Sequence, residues 1–314
     1  MTVHEISLLD IPRIAGLGSR EDLNGIGRFI HGNNRHISEL ISASFPFTKN
    51  FGAFIEEGEN TFALGISLNK ERLYGNLTFI SPVELIDEPI AQKALEYVLS
   101  IAGSQKIVAI SAESANLEVQ GGLKKVGFSS YYTQKIWRMD TNRLERTAGR
   151  WIPLDQSAKS ELLHLYSQVT PPMIQFLEPF PPNEGRLLRY AEDHSFALIS
   201  SGAHGKLITP YFLPDIEHGS QKLLNLINSL TINKDQEIYI LTKSTMGWID
   251  NSVENIGALM VEEQKVCFKR LVSPIPQDVL SNNVPARETR MVPSSFEKNS
   301  IEYVEQVKHF RVKQ

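Results

Sequence analysis

Cysteine is almost missing from these 314 residues, since Cys267 stands alone. No intrachain disulfide can form, which fits a reducing compartment. Long apolar runs are missing too, and nothing reaches the ~20 residues that a membrane-crossing helix requires. Met1-Thr2-Val3-His4-Glu5 has neither the basic start nor the apolar core of a secretory signal, so the expectation is a cytoplasmic chain with no membrane partner. An excess of one charge is also lacking. Thirty-two Lys and Arg against 36 Asp and Glu give a net charge of −4, with no general electrostatic reason to expect nucleic acid. There is no Walker loop, cysteine cluster or Ser-His-Asp spacing. His31 and His36 lack acidic ligands at a recognised metal spacing, so no metal is expected. Gly16, Gly18, Gly25 and Gly27 suggest a phosphate loop, but no strand leads into a G-x-G-x-x-G pattern, and they are read as helix ends and turns.

What is present centres on Lys106 to Met139. The β-branched run Lys106–Ser111 reads as a strand, Glu113-Ser114-Ala115-Asn116 as a polar break, and Leu117, Val119, Gln120, Leu123 and Val126 as a helix. Gly127 stops that helix, and Phe128 opens a return strand through Trp137. A shift of 130 residues places Ile240 on Ile110, Ser244 on Ser114, Ile256 on Val126, Gly257 on Gly127, and Gln264-Lys265 on Gln134-Lys135. These matches fall on the same strand end, helix stop and return strand, as a duplicated unit requires.

Either side of this stretch the same order recurs. Ile6–Leu9 is a candidate first strand and Asp10-Ile11-Pro12 a helix entry. A short helix is expected over Ile37–Ala43, then extended segments over 51–56, 62–68 and 73–80, and a helix over Ala91–Ala102 ended by Gly103. Residues 140–150 read as a polar linker. The second copy restarts at Trp151, with a helix over Ser157–Tyr166 and strands over 186–191, 196–200 and 206–213. A helix over Lys222–Leu230, a strand over Glu237–Leu241, a helix over Asn251–Ile256 and a return strand containing a buried, structural Cys267 complete it. From Ser273 a proline-rich polar tail follows, with a possible helix from Phe296 to Phe310.

The strand, Asn-started helix, Gly127-Phe128 pair and return strand resemble the C-terminal part of a GCN5-related N-acetyltransferase (GNAT) domain. The resemblance implies an α/β (α+β) fold of two tandem units, 1–140 and 151–272, each a mixed, mostly antiparallel sheet flanked by helices, with a linker at 141–150 and a tail at 273–314. It also implies acetyl-CoA or another acyl-CoA as co-substrate, and a small-molecule or peptide amine as acceptor. Cofactor contacts are then expected at Phe79 and Ile80 in the first copy, and at Leu213, His218, Gly219 and Ser220 in the second.

Helix N-termini approached by glycines favour a pyrophosphate, because their backbone N–H groups are free. The first turn, Ser81 to Pro89, has no glycine, three carboxylates and two prolines. The second, Pro214 to Gln221, has Gly219 and Ser220 as a permissive turn and N-cap, but is opposed by Asp215 and Glu217. The resemblance would place a proton-donating tyrosine at Leu123 or Val253, and neither can donate. Glu113 as a base acting through water and Asn116 as the matching family asparagine are the candidate catalytic residues. His194, His204 and His218 fall near strand ends and read as solvated. Residues 169–183, with five prolines, form either an acceptor-pocket wall or a surface loop. Two functions stay open: an acyl-CoA-dependent N-acyltransferase with one degenerate half, or a non-catalytic binding protein on the same fold.

Overall fold

The computed structural model describes residues 2–32, 50–140, 150–155, 157–178, 180, 185–230 and 236–271. The chain divides into two compact units, Met1–Ser273 and Pro274–Gln314. The second unit, the helix expected over Ile37–Ala43 and residues 141–149 lie outside the described residues.

The first meander forms where the extended segments were expected. Strands β3 (Asn50–Glu57), β4 (Asn60–Asn69) and β5 (Tyr74–Ser81) pair antiparallel. The edge strand β1 is Thr2–Glu5, not Ile6–Leu9. Ile6 is buried, and Asp10 accepts from the Ser7 N–H (2.8 Å) and hydroxyl (2.7 Å), which turns the chain into α1 (Ile11–Ala15). Gly25 and Gly27 belong to α2 (Gly25–His31). Helix α3 (Pro89–Ser104) buries Ile90, Ala94, Leu95 and Val98 on β3 and β4, and runs through Gly103 instead of ending there. The next strand, β6 (Ala109–Ser114), starts later than expected, because Lys106 enters the left-handed region (φ 65°) and Ile107 is spent in the core. Asn116 caps α4 (Leu117–Lys125) by accepting from the Glu118 N–H at 2.9 Å. Gly127 (φ 87°) then turns the chain into β7 (Ser129–Met139).

The second copy follows the same order: β8 (Trp151–Pro153), α5 (Lys159–Val169), α6 (Pro172–Leu177), β9 (Arg186–Tyr190), β10 (Phe196–Ser201), β11 (Gly205–Tyr211), α7 (Gly219–Ser229), β12 (Glu237–Lys243), α8 (Trp248–Asn255) and β13 (Leu259–Arg270). Helix α7 begins three residues before Lys222, and its N-cap is His218 at φ 55°, not Ser220. Gly257 (φ 80°) repeats the stop made by Gly127.

All these strands, with the two-residue β2 (Glu21–Asp22) on β5, form one mixed, mostly antiparallel sheet in the order β1-β3-β4-β5-β6-β13-β7-β12-β11-β10-β9-β8. The return strands are exchanged. β13 pairs with β6 of the first copy, β7 pairs with β12 of the second, and the two pair with each other. Ile110 lies between Gly75 and Lys269, and Ile240 between Ile208 and Trp137, so both occupy the same place in their copies, fully buried. The β7–β13 ladder carries the repeat as well. Gln134 faces Gln264, and their side chains bond at 3.0 Å. Tyr131 on β7 and Val261 on β13 are the two residues left over at its register shifts, separated by the same 130 positions as the glutamines.

On one face of the sheet a large core lies under α3 and α4 and a second under α7 and α8, the second also taking in Tyr166 of α5 and Tyr211. On the other face α2 reaches across to β11 and β12. Phe29 meets Tyr239 at 5.0 Å, and the Ile30 carbonyl accepts from His204 N–H at 2.9 Å. Helix α6 crosses the opposite way, packing Ile174 against Ala109, Tyr132, Val266 and Phe268.

Replacing residues 259–270 with a Gly-Ser segment of equal length would leave β6 and β7 with exposed edges. The expected outcome is loss of the cooperative thermal transition followed by circular dichroism; a sharp transition retained at the wild-type temperature would contradict the exchange.

Candidate functional site

Open α/β sheets take ligands beyond the C-terminal ends of their parallel strands, where backbone groups are left unpaired. This sheet opens twice in that way. β5 and β6 pair at Tyr74/Ala109, Gly75/Ile110 and Asn76/Ser111 and then part. β11 and β12 pair from Gly205/Glu237 to Ile208/Ile240 and then part.

The first opening is filled by the chain itself. Glu21 pairs with Ile80 and Asp22 with Phe79. The Leu23 N–H donates to the Thr78 carbonyl (3.0 Å), the Leu23 carbonyl accepts from the Glu113 N–H (2.8 Å), and Ser19 accepts from the Val83 N–H (3.0 Å). Arg20 lies 4.1 Å above the Phe79 ring, and Leu23, Phe79 and Ile80 are buried. This segment therefore spans the gap and occupies the turn before α3. A two-residue strand has no periodicity, so the sequence carried no signal for it.

The second opening is different. Among the described residues none accepts from the N–H groups of Gly219, Ser220 or Gln221, the free first turn of α7. Gly219 allows α7 to approach α8, since a Cβ there would stand 2.7 Å from Ser252 Oγ. The Trp248 indole donates to the Phe212 carbonyl at 3.1 Å. Outside the turn runs a groove of about 830 Å3, lined by Tyr190, Asp193, Leu213, Asp215, Glu217 and His218 among others. Its Lys222 is already committed, paired with Asp193 and 5.4 Å over the Tyr190 ring. Burial raises the Asp193 carboxyl, but hydrogen bonds from Lys222 and Ser195 outweigh it and leave it below its ordinary range.

On the opposite face a polar cluster joins the two copies. Glu178, just past α6, accepts from Tyr132 Oη at 3.0 Å and from Lys243 Nζ, while its carbonyl accepts from Tyr166 Oη at 3.1 Å. Lys243 lies 5.5 Å above the Tyr132 ring. Tyr166 stacks on Phe180 at 4.1 Å, and Tyr211 meets Phe180 at 5.2 Å. Tyr74 donates to Ser111 Oγ at 2.5 Å. Burial pushes the phenols of Tyr74, Tyr132, Tyr166 and Tyr211 up, so they remain protonated donors.

Glu113 belongs to this cluster. Part of the residue stays accessible, yet its Oε2 is buried without a hydrogen-bond partner. Burial pushes its carboxyl up to about 7, against a lowering hydrogen bond from Gln134, with Glu178 raising it and Lys243 lowering it. The other expected residues are placed elsewhere. Asn116 is half-buried and occupied as a helix cap. Leu123 and Val253 are fully buried. His194 is exposed, 3.4 Å from Glu161. Sequence reasoning missed Glu178, Lys243 and Tyr132, although Glu178 falls in the proline-rich segment read as a possible pocket wall. Among the described residues no helix is long and apolar enough to cross a membrane, and no group of three or more His, Cys, Asp or Glu could hold a metal ion.

No family model and no curated protein matches this chain. Solved structures do. A GCN5-related N-acetyltransferase from Sphaerobacter thermophilus aligns with a TM-score of 0.54 at 9% identity, over 85% of this chain and 95% of that one. A candidate acetyltransferase from Pyrococcus horikoshii gives 0.52 at 12% identity, over 88% and 92%. A tandem GNAT protein from the clavulanic acid biosynthesis pathway gives 0.50 at 9%, over 86% and 98%. At these identities the likeness shows the fold: the chain is a mixed α/β protein of tandem GNAT-like architecture.

The raised Glu113 carboxyl predicts a pH dependence of stability. The folded protein holds this proton more tightly than an unfolded chain, where the ordinary value is 4.5. Its contribution is therefore complete below about 4.5 and lost as pH rises through about 7. Glu113→Gln should match wild type in acid and exceed it at alkaline pH, by on the order of 1–3 kcal/mol. Urea melts across pH check this; parallel curves for the two proteins would refute it.

Proposed function

We propose that the chain is an acyl-CoA-dependent N-acyltransferase of the GNAT type, in which the second opening takes the acyl donor and the first serves the scaffold. The observation that carries this reading is the contrast between the openings: Ser19–Leu23 closes one, whereas free amides at Gly219–Gln221 stand at the other. In this reading residues 1–140 and 151–272 are the two copies. Leu213, His218, Gly219 and Ser220 hold the donor in the second, while Phe79 and Ile80, already paired with β2, do not. When bound, the donor supplies an activated thioester. The chain's own part is to bind a small-molecule or peptide amine and remove its extra proton. The Glu178–Lys243–Tyr132 cluster supplies charge and phenol donors at the C-terminal end of β12, with Tyr166, Phe180 and Tyr211 as an apolar wall. Since Leu123 and Val253 are apolar, water supplies the leaving thiolate's proton.

Exposed Asp215 and Glu217 beside the turn oppose an anion, and Trp248 already donates to the Phe212 carbonyl. Those two facts favour a second reading, a non-catalytic binding protein on the same fold.

Calorimetry with acetyl-CoA separates the readings. The expected result is one molecule bound per chain, weakened about tenfold or more in Ser220→Asp, a change that adds negative charge to the first turn of α7 while favouring the helix itself. Absence of heat at millimolar acetyl-CoA would support the non-catalytic reading, and two bound molecules would contradict closure of the first opening.

A further inference from the structure

The closed first opening leaves Glu113 in an unusual position. Its backbone N–H is taken by Leu23, so β2 seals it from its own copy's groove. Its side chain instead meets Gln134 on β7, and Gln134 stands directly opposite Lys243 of the second copy. Lys243 in turn pairs with Glu178, which holds Tyr132. The charged and titratable groups facing Glu113 are thus Asp22 on β2, Tyr74 on β5, Tyr132 on β7, Lys243 on β12 and Glu178 after α6. Oε2 of Glu113 is a buried acceptor that no group among the described residues satisfies, and a buried acceptor left unpaired leaves room for a donor from outside. The Glu178 side chain, 30% exposed, opens the cluster to solvent.

We propose that the acceptor site of the second opening is built by both copies: Glu178 and Tyr132 hold the ammonium of a primary amine with an apolar body, and Glu113 takes its proton. The inference rests on the acyltransferase reading above. In the step, R–NH3+ gives one proton to the Glu113 carboxylate, leaving R–NH2 and a neutral acid. The freed lone pair forms the N–C bond at the thioester carbonyl, and the C–S bond breaks with its electron pair on sulfur. The proton that nitrogen then sheds passes to water, water protonates the thiolate to give the free thiol, and Glu113 returns its own proton to solvent. The apolar body lies against Tyr166, Phe180 and Tyr211, and the neutral phenol of Tyr132, its proton donated to Glu178, accepts from the ammonium through its oxygen. The first copy, having lost its own cofactor groove, supplies the base for its neighbour's.

The test uses the full chain, acetyl-CoA, and phenethylamine and isoamylamine as probes, with thiol release followed across pH and acetyl-CoA binding measured separately by calorimetry. Wild type is expected to show amine-dependent thiol release that rises with pH through a value of about 7. Glu113→Gln should lose that rise and about 100-fold in kcat while binding acetyl-CoA as wild type does. Glu113→Asp should restore part of the rise, which a purely structural role would not produce. Glu178→Gln should raise KM for the amines about tenfold with a smaller effect on kcat. The inference is overturned if acetyl-CoA binds but Glu113→Gln keeps the wild-type pH profile, or if neither amine releases thiol. If acetyl-CoA does not bind at all, the acyltransferase reading fails, and the inference with it.

Discussion

The pairing of β7 with β13 holds this molecule together. Among the described residues these are the longest strands, and each completes the sheet of the other copy. At their centre Gln134 and Gln264 are both buried, the Gln134 amide donating to the Gln264 side-chain carbonyl and the Gln264 amide to Glu262. A buried amide without a partner costs the full desolvation of its polar atoms, so this contact defines the register as well as strengthening it. Slippage of either strand by one residue would move all of its side chains to the wrong face. The two large cores lie on either side of this ladder, and α2 and α6 cross over it in opposite directions. The copies are therefore two folding motifs but one continuous sheet.

That architecture gives the openings different fates. Both arise because parallel strands part near their C-terminal ends. In the first, the segment Ser19–Leu23 returns to satisfy Thr78, Val83 and Glu113, and its burial of Leu23 adds to the core. In the second, the free first turn of α7 remains, but with carboxylates beside it and an indole on the neighbouring carbonyl. Strand pairing, more than any single side chain, separates the opening that the chain fills from the one it leaves open.

Much of this was legible in the chain. The meander over 50–81, the helix at 89–104 and the positive-φ glycines at 127 and 257 follow from local signals: alternation, amphipathic spacing and a residue without Cβ. The 130-residue shift correctly placed Ile110 and Ile240 in matching surroundings. Less legible was anything set by distant pairing. Nothing local tells β13 to choose β6 over β12, because both partners offer similar apolar ladders. Strand β2 is too short to show a period, and the first strand moved because Asp10 capped a turn sooner than Ile6–Leu9 could extend. In the site, Glu113 was accessible to reasoning from its strand-end position. Glu178 was hidden in a proline-rich segment, where its neighbours in space come from 46 and 65 residues away.

The two matched positions facing the cluster are Glu113 and Lys243, one acid and one base. Identical subunits related by a true dyad would have to present the same residue at both, giving two carboxylates or two ammonium groups in one low-dielectric interior. Joining both copies in one polypeptide removes that obligation. Asymmetry written into a single gene thus allows opposite charges to share a centre that symmetry would have kept uniform.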